Sequence, residues 1–257
     1  MTATAPVLEV SDVGLSFGGT STLIDVSFTV EQGELFAIIG PNGAGKTSIL
    51  NCLNQVYRPA AGRIVLDGVD LSHSGPAATA HLGLGRTFQN LALFQNLSVI
   101  DNLMLGRHHL MRTGFFSGML WFGRARSEEI AHRVRCEEIA EMIGLAPYRS
   151  LPAGILPYGI QKRIELGRAL AMEPKLLLLD EPVAGMNLQE TEDMVRYLCQ
   201  VNGEMGMAMI LIEHDIHLVM DIADRVMVLN LGRRIALGTP EEVRNNPSVI
   251  HAYLGNG

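Results

Sequence analysis

Apolar positions follow two rhythms along this chain. Near the start they alternate with polar ones. Val7-Leu8-Glu9-Val10 and Val26-Ser27-Phe28-Thr29-Val30 read as half-buried antiparallel strands, and Gly62-Arg63-Ile64-Val65-Leu66-Asp67-Gly68 as a strand ending in a turn. Elsewhere apolar residues come in unbroken bursts: Leu35 to Ile39, Leu176 to Leu179, Met207 to Ile212 and Val226 to Leu229. A strand covered on both faces has no polar side to show, so such bursts mark the core of a parallel sheet. Helical text such as Gln189 to Asn202 alternates with them, as in an α/β fold. From about residue 86 to residue 172 the bursts stop and helix-forming text takes over, for example from Ser127-Glu128-Glu129-Ile130 onward. Ser127 is the expected N-cap of that helix, with both glutamates in its first turn. We read the stretch as a helical lobe inserted between core strands.

The burst Leu35 to Ile39 runs into Gly40-Pro41-Asn42-Gly43-Ala44-Gly45-Lys46-Thr47, which fits G-x-x-x-x-G-K-[ST]. Glycines at these positions let successive backbone N–H groups turn inward around an anion without Cβ clashes. Thr47-Ser48-Ile49-Leu50-Asn51-Cys52-Leu53 reads as a helix whose positive N-terminus faces the same phosphates. Lys46 adds a point charge for the β- and γ-phosphates, and the Thr47 hydroxyl is a ligand for Mg²⁺. An ordinary glycine-rich turn is the competing reading, and a chance match to the pattern is on the order of one per cent at average glycine usage. The burst Leu176 to Leu179 delivers Asp180 and Glu181 to a strand end. There Asp180 can meet the Mg²⁺ shell while Glu181 orients and deprotonates an attacking water. Asp180 as a mere turn cap is the bland alternative, weakened by the Lys46 loop upstream.

Composition sets limits on this picture. The chain has 257 residues, enough for one large α/β domain or a domain with an inserted lobe, and 47% of them are hydrophobic. Mean hydropathy is +0.20, yet no apolar run approaches the ~20 residues that cross a bilayer. Buried parallel strands and a surface that docks on something apolar account for the excess. Met1 to Pro6 has neither a basic start nor a long apolar core, so no signal peptide is expected. Cys52, Cys136 and Cys199 are widely spaced and unpaired in pattern, which suits buried thiols in a reducing compartment. A net charge of −7 argues against a nucleic-acid partner held by phosphate contacts.

With these motifs in series, the chain resembles an ABC-type ATPase, the nucleotide-binding subunit of a membrane transporter, over essentially its whole length. The resemblance implies a P-loop NTPase of ABC type: a single domain over 1–257, with a mixed core sheet, an antiparallel β subdomain and an inserted helical subdomain. Residues 1–85 and 173–257 would form the nucleotide-binding core with its antiparallel β part, and 86–172 the helical subdomain. It implies ATP and Mg²⁺ as cofactors. Phe17 falls where the family stacks an aromatic on adenine, although a lone Phe is more often core. Gln89, in Thr87-Phe88-Gln89-Asn90, matches the glutamine that approaches Mg²⁺ and the attacking water. His214, in Ile212-Glu213-His214-Asp215, matches the histidine that contacts the γ-phosphate, where a lone His would read as a polar strand end.

The family's signature, LSGGQ, binds the γ-phosphate held by the opposite subunit, and here it departs from pattern as Leu156-Pro157-Tyr158-Gly159-Ile160-Gln161. Pro157 has neither hydroxyl nor N–H, so the serine contact is lost. Gly159 keeps a backbone donor at a helix start, and Gln161, one place late, stands in for the expected glutamine. After Pro182, Asn187 replaces the usual Asp and can bond across a dimer without charge. The A-G-x-N loop, the Y-G signature and the ending Gly238-Thr239-Pro240 to Tyr253-Leu254-Gly255 resemble the larger ATPase subunit of branched-chain amino-acid uptake systems. ATPases for urea and short-chain amides are similar. That resemblance implies membrane permease subunits, a second ATPase subunit (the same chain or a smaller homologue) and, indirectly, a solute-binding protein outside the membrane. It also implies a peripheral location on the cytoplasmic face of the inner or plasma membrane. A soluble ABC-type protein would usually carry a tandem second ATPase domain or a long coiled-coil insertion, and neither is read in this sequence, while a small-molecule kinase using the same phosphate loop would not call for the Gln89, signature and His214 series.

One stretch stays open. From Arg107 to Arg126 the chain carries Phe115, Phe116, Trp121 and Phe122 with Arg107, Arg112, Arg124 and Arg126, and no acid. Either the aromatics pack back on the lobe above a solvated arginine rim, or the insert faces the permease or anionic headgroups.

Overall fold

The computed structural model describes residues 5–72, 74–87, 92–110 and 124–254. The chain divides into two compact units, Met1–Arg86 with Lys175–Glu181 and Val201–Gly257, and Thr87–Pro174 with Pro182–Gln200.

The first unit holds two sheets. The antiparallel one comprises β1 (Leu8–Phe17), β2 (Thr20–Val30), β4 (Ala61–Leu66) and β5 (Val69–Asp70), in the order β2-β1-β4-β5. The alternation expected around Val10 extends farther than the sequence suggests. The register shifts between Val10 and Val13, Asp12 takes φ 49°, and the inward set resumes at Val13 and Leu15. A bulge flips the pattern by one residue, which hides a long strand from a search for strict period two.

The second sheet is mixed: β3 (Leu35–Ile39), β6 (Leu84–Arg86), β7 (Leu176–Asp180), β8 (Ala208–Ile212), β9 (Arg225–Asn230) and β10 (Arg233–Gly238), ordered β10-β9-β3-β8-β7-β6. Only the β9–β10 pair is antiparallel. Every residue of β3, β7 and β8 is buried, as the unbroken bursts require. Helix α1 (Lys46–Leu53) follows β3 and turns Ile49, Leu50 and Leu53 into the core. Phe28 of the antiparallel sheet stacks on Phe36 of the mixed one, centroids 5.1 Å apart and planes 7° from parallel. One apolar cluster therefore spans both sheets and α1.

The second unit is helical: α3 (Val99–Gly106), α4 (Arg124–Met142), α5 (Tyr158–Ala171) and the start of α6 (Leu188–Met205), with α2 (Pro76–His81) belonging to the first unit. Leu103, Ile139, Ile143, Ile164 and Leu170 form its fully buried interior. α4 begins at Arg124, a turn before Ser127, so Ser127 lies inside the helix rather than at its N-cap. Ser98 caps α3 in this unit, its hydroxyl accepting from Asp101 N.

Candidate active site

Adjacent parallel strands end on the same edge of a sheet, and in open α/β sheets that edge is where ligands sit. Here β3, β8 and β7 are neighbours, so Gly40, the segment Glu213-His214 and the pair Asp180-Glu181 emerge side by side. The phosphate loop begins at Gly40, with φ 152° and the carbonyl of Leu229 only 2.1 Å from where a Cβ would stand. No other residue fits there. Pro41, Asn42 and Gly43 cross the tip, Asn42 and Gly43 exposed, and Ala44 and Gly45 tuck back before α1.

Lys46 is 6% exposed, and its ammonium donates to the carbonyls of Gly40 at 2.7 Å and Pro41 at 3.2 Å. The loop thus closes on its own lysine. Burial lowers the Lys46 pKa from its ordinary value, while the negative charges of Glu181 and Asp180 act in the opposite sense. Thr47 is exposed and Ser48 half-buried at the first turn of α1, with hydroxyls available to a bound anion or its metal.

Asp180 ends β7, and Glu181 follows with φ 50°, an uncommon conformation for a residue with a side chain. The Glu181 N–H donates to the carbonyl of Ile212 at 3.0 Å, which anchors the turn to β8. Its carboxylate Oε1 lies 2.6 Å from His214 Nε2. The His214 side chain is 48% exposed and the Glu181 side chain 16%, so the pair stands at the site's mouth rather than in the core. A carboxylate held by a histidine beside this uncommon backbone turn can act as a base on a water.

Phe17 is 49% exposed at the end of β1 and meets Tyr57 edge-on at 5.1 Å, so the core reading of this aromatic does not hold. Gln89 lies outside the described residues, as do Arg112, Phe115, Phe116, Trp121 and Phe122 of the basic-aromatic insert. Arg107 does not belong to a rim of either expected kind. It is 6% exposed, with Nε donating to His132 Nδ1 at 2.7 Å and Nη1 to Ala171 O and Glu173 Oε1, each at 3.1 Å.

In the helical unit, Pro157 is the N-cap of α5, with Tyr158 and Gly159 in its first turn. The Gly159 N–H, expected as a donor to a phosphate, already donates to Glu190 Oε1 at 3.2 Å. Glu190 also accepts from Asn187 N at 3.1 Å through Oε2, while Asn187 Oδ1 accepts from Glu190 N at 3.0 Å. That reciprocal pair is a capping box for α6. Tyr158 donates its hydroxyl to Ala184 O at 3.2 Å, and Gln161 donates to Leu156 O at 2.8 Å, so Gln161 serves its own helix start.

Sequence reading missed three residues. Arg86 closes β6 and pairs with Asp180, Glu190 links the α5 and α6 starts, and Tyr253 reaches Gly40 from the C-terminal helix Pro247–Leu254. Burial pushes the Tyr253 hydroxyl up to about 12, partly offset by a hydrogen bond with the Gly40 backbone. Only the ending Tyr253-Leu254-Gly255 gave any signal; Arg86 and Glu190 are legible only once the neighbours of their elements are known.

Residues 23–184 match the family model described as ABC transporter, and residues 233–257 match one described as branched-chain amino acid ATP-binding cassette transporter. The chain is 42% identical over 253 residues to the high-affinity branched-chain amino acid transport ATP-binding protein LivG of Salmonella typhimurium, covering 97% of this chain and 98% of that protein. It is 39% identical over 250 residues to BraF of Pseudomonas aeruginosa, named likewise, with coverage of 97% and 98%. A solved ATP-binding cassette of an ABC transporter in its ADP conformation superposes with a TM-score of 0.84 at 28% identity, covering 98% of this chain and all of that one.

Proposed function

The chain belongs to the ABC transporter ATPases, and from that premise we propose that it drives uptake of branched-chain amino acids by hydrolysing ATP between two ATPase subunits. The observation that carries this is the convergence of the Lys46 loop, Asp180, Glu181 and His214 on one strand-end edge, with Glu181 and His214 only 2.6 Å apart. The cargo rests on the named role of the LivG and BraF relatives and on the C-terminal match over residues 233–257.

The residues present fit a metal–nucleotide. Gly40 to Gly45 supply backbone donors, Lys46 has an ammonium held by two carbonyls that a phosphate can replace, and Thr47 and Asp180 supply the hard oxygens that Mg²⁺ prefers. Bound Mg²⁺ would neutralise charge on the β- and γ-phosphates. Ser48 adds a hydroxyl to the loop, and exposed Phe17 offers a ring face to adenine. Glu181 accepts the proton of the attacking water. His214 fixes the carboxylate's direction through its 2.6 Å contact, and it would contact the γ-phosphate of bound ATP from the neighbouring strand. Gln89 completes the set as the residue that approaches Mg²⁺ and the attacking water. Pro157, Tyr158, Gly159 and Gln161 form the segment presented to the other subunit's ATP. Since Glu190 holds the Gly159 donor in this state, that donor must exchange the carboxylate for the phosphate on closure.

The helical unit supplies a surface for the permease. Phe94, Leu97, Leu151 and Ile155 are 58%, 36%, 40% and 70% exposed. They are gathered by the bonds Ala153 N to Leu97 O and Val99 N to Leu151 O, at 2.9 and 3.0 Å. A water-exposed cluster of this kind is the expected face of a subunit that docks on others. Among the described residues no helix is long and apolar enough to cross a membrane, and the chain's attachment to the cytoplasmic face would run through this docking.

The test is Glu181→Gln. The variant should bind ATP as the native chain does and lose turnover by at least about a hundredfold, the scale of a removed general base. Turnover within a few-fold of native would remove Glu181 from the mechanism.

A further inference from the structure

Arg86 brings a full charge into the protein at the edge of the mixed sheet. Its side chain is 10% exposed and that of Asp180 is 6% exposed. The guanidinium uses two nitrogens: Nη2 donates to Asp180 Oδ2 at 2.9 Å, and Nη1 donates to Asn51 Oδ1 at 2.9 Å. Asn51 lies on α1, directly behind the phosphate loop, while Asp180 ends β7. One planar fork thus ties the helix that begins at Lys46 to the carboxylate opposite it, with its two nitrogens held in a fixed geometry that a flexible lysine ammonium lacks.

Stability alone does not account for this arrangement. A buried ion pair recovers little or no net energy after desolvation, and apolar residues of similar volume hold a sheet edge as well or better. An apolar pair cannot, however, pin one oxygen of a buried carboxylate in direction.

We propose that Arg86 is a positioning residue for the metal–nucleotide site: it holds the Asp180 carboxylate aimed, and through Asn51 keeps it in register with the phosphate-loop helix. The proposal rests on the reading of Asp180 as the Mg²⁺ partner given above. Arg86 touches neither nucleotide nor metal in this role. It acts through Asp180, so it should govern what Mg²⁺ adds to ATP binding and leave Mg²⁺-free binding to the phosphate loop.

The experiment is equilibrium binding of ATP to the full chain, in Mg²⁺ and in EDTA, for native protein and for Arg86→Met, Arg86→Lys, Asn51→Ala and Asp180→Asn. In Arg86→Met the gain in affinity due to Mg²⁺ should fall by about tenfold or more, the usual cost of losing a partner that orients a metal ligand. Its affinity in EDTA should stay within about twofold of native on the same argument. Arg86→Lys should recover part of the gain, since it restores charge without the fork. Equal losses in Mg²⁺ and EDTA, or an unchanged gain, would overturn the proposal by reducing Arg86 to a structural strut. If Arg86→Met does not fold, Asn51→Ala decides, because it removes only the anchor; an unchanged Mg²⁺ gain there would be equally contrary. Asp180→Asn separates the two readings. If it keeps the gain, the assignment of Asp180 fails and the proposal with it. If it loses the gain while Arg86→Met keeps it, the proposal alone fails.

Discussion

Lys46 donates to the carbonyls of its own loop, and that contact explains how a buried ammonium survives beside few formal charges. Each bond is one that a phosphate oxygen can take over, so the loop is preorganised rather than built around its ligand. The same concern with buried groups separates the three cysteines. Cys52 and Cys136 are buried and their thiols are pushed up to about 11, whereas Cys199 is exposed. The thiolate is the reactive form, and at pH 8 a thiol with a pKa of 11 is ionised in roughly one molecule per thousand. Alkylation of the native chain at pH 8 should therefore modify Cys199 within minutes and spare the other two. Raising the pH toward 11, or unfolding, should bring Cys52 and Cys136 in. Three equally fast thiols at pH 8, counted by mass spectrometry of peptides, would contradict the burial described. Residue identity was most legible where chemistry demands contiguous types, as from Gly40 to Thr47. It was least legible at Arg86, whose partner Asp180 is 94 positions away and becomes a neighbour only because β6 pairs with β7.

At the level of elements, the continuous bursts announced the buried parallel strands because two covered faces leave no room for alternation. Strand β1 was only half seen, since its bulge at Asp12 breaks the period, and the helix expected from Ser127 starts a turn earlier. Caps are poor guides where tertiary packing can extend a helix past a local stop. Packing inside the helical unit depends on Gly106 at the end of α3. A Cβ there would stand 2.2 Å from the carbonyl oxygen of Arg168 and 3.2 Å from the Ala171 side chain. Gly106→Ala must separate α3 from α5, at a cost of about 1–3 kcal/mol for overpacking. At about 2–4 °C per kcal/mol for a chain of this size, a fall in Tm of several degrees is the expected result of a thermal melt. An unchanged Tm would show that the two helices do not approach so closely.

The whole molecule joins a nucleotide-binding unit, where the two sheets and α1 share one core, to a helical unit that carries the signature segment and an exposed apolar cluster. The family could be read from the sequence because the Lys46 loop, Asp180-Glu181 and His214 each follow a recognisable burst. The cargo could not; it enters through likeness to proteins named for branched-chain amino acids. In the function proposed, ATP turnover at the Lys46 loop powers that uptake. Its most direct test is uptake by the native cells carrying Lys46→Ala, with labelled leucine, isoleucine and valine, and with urea and an aromatic amino acid as comparators. The account predicts loss of leucine, isoleucine and valine uptake with the comparators unchanged. Full uptake of all three, or a loss confined to another solute, would contradict it.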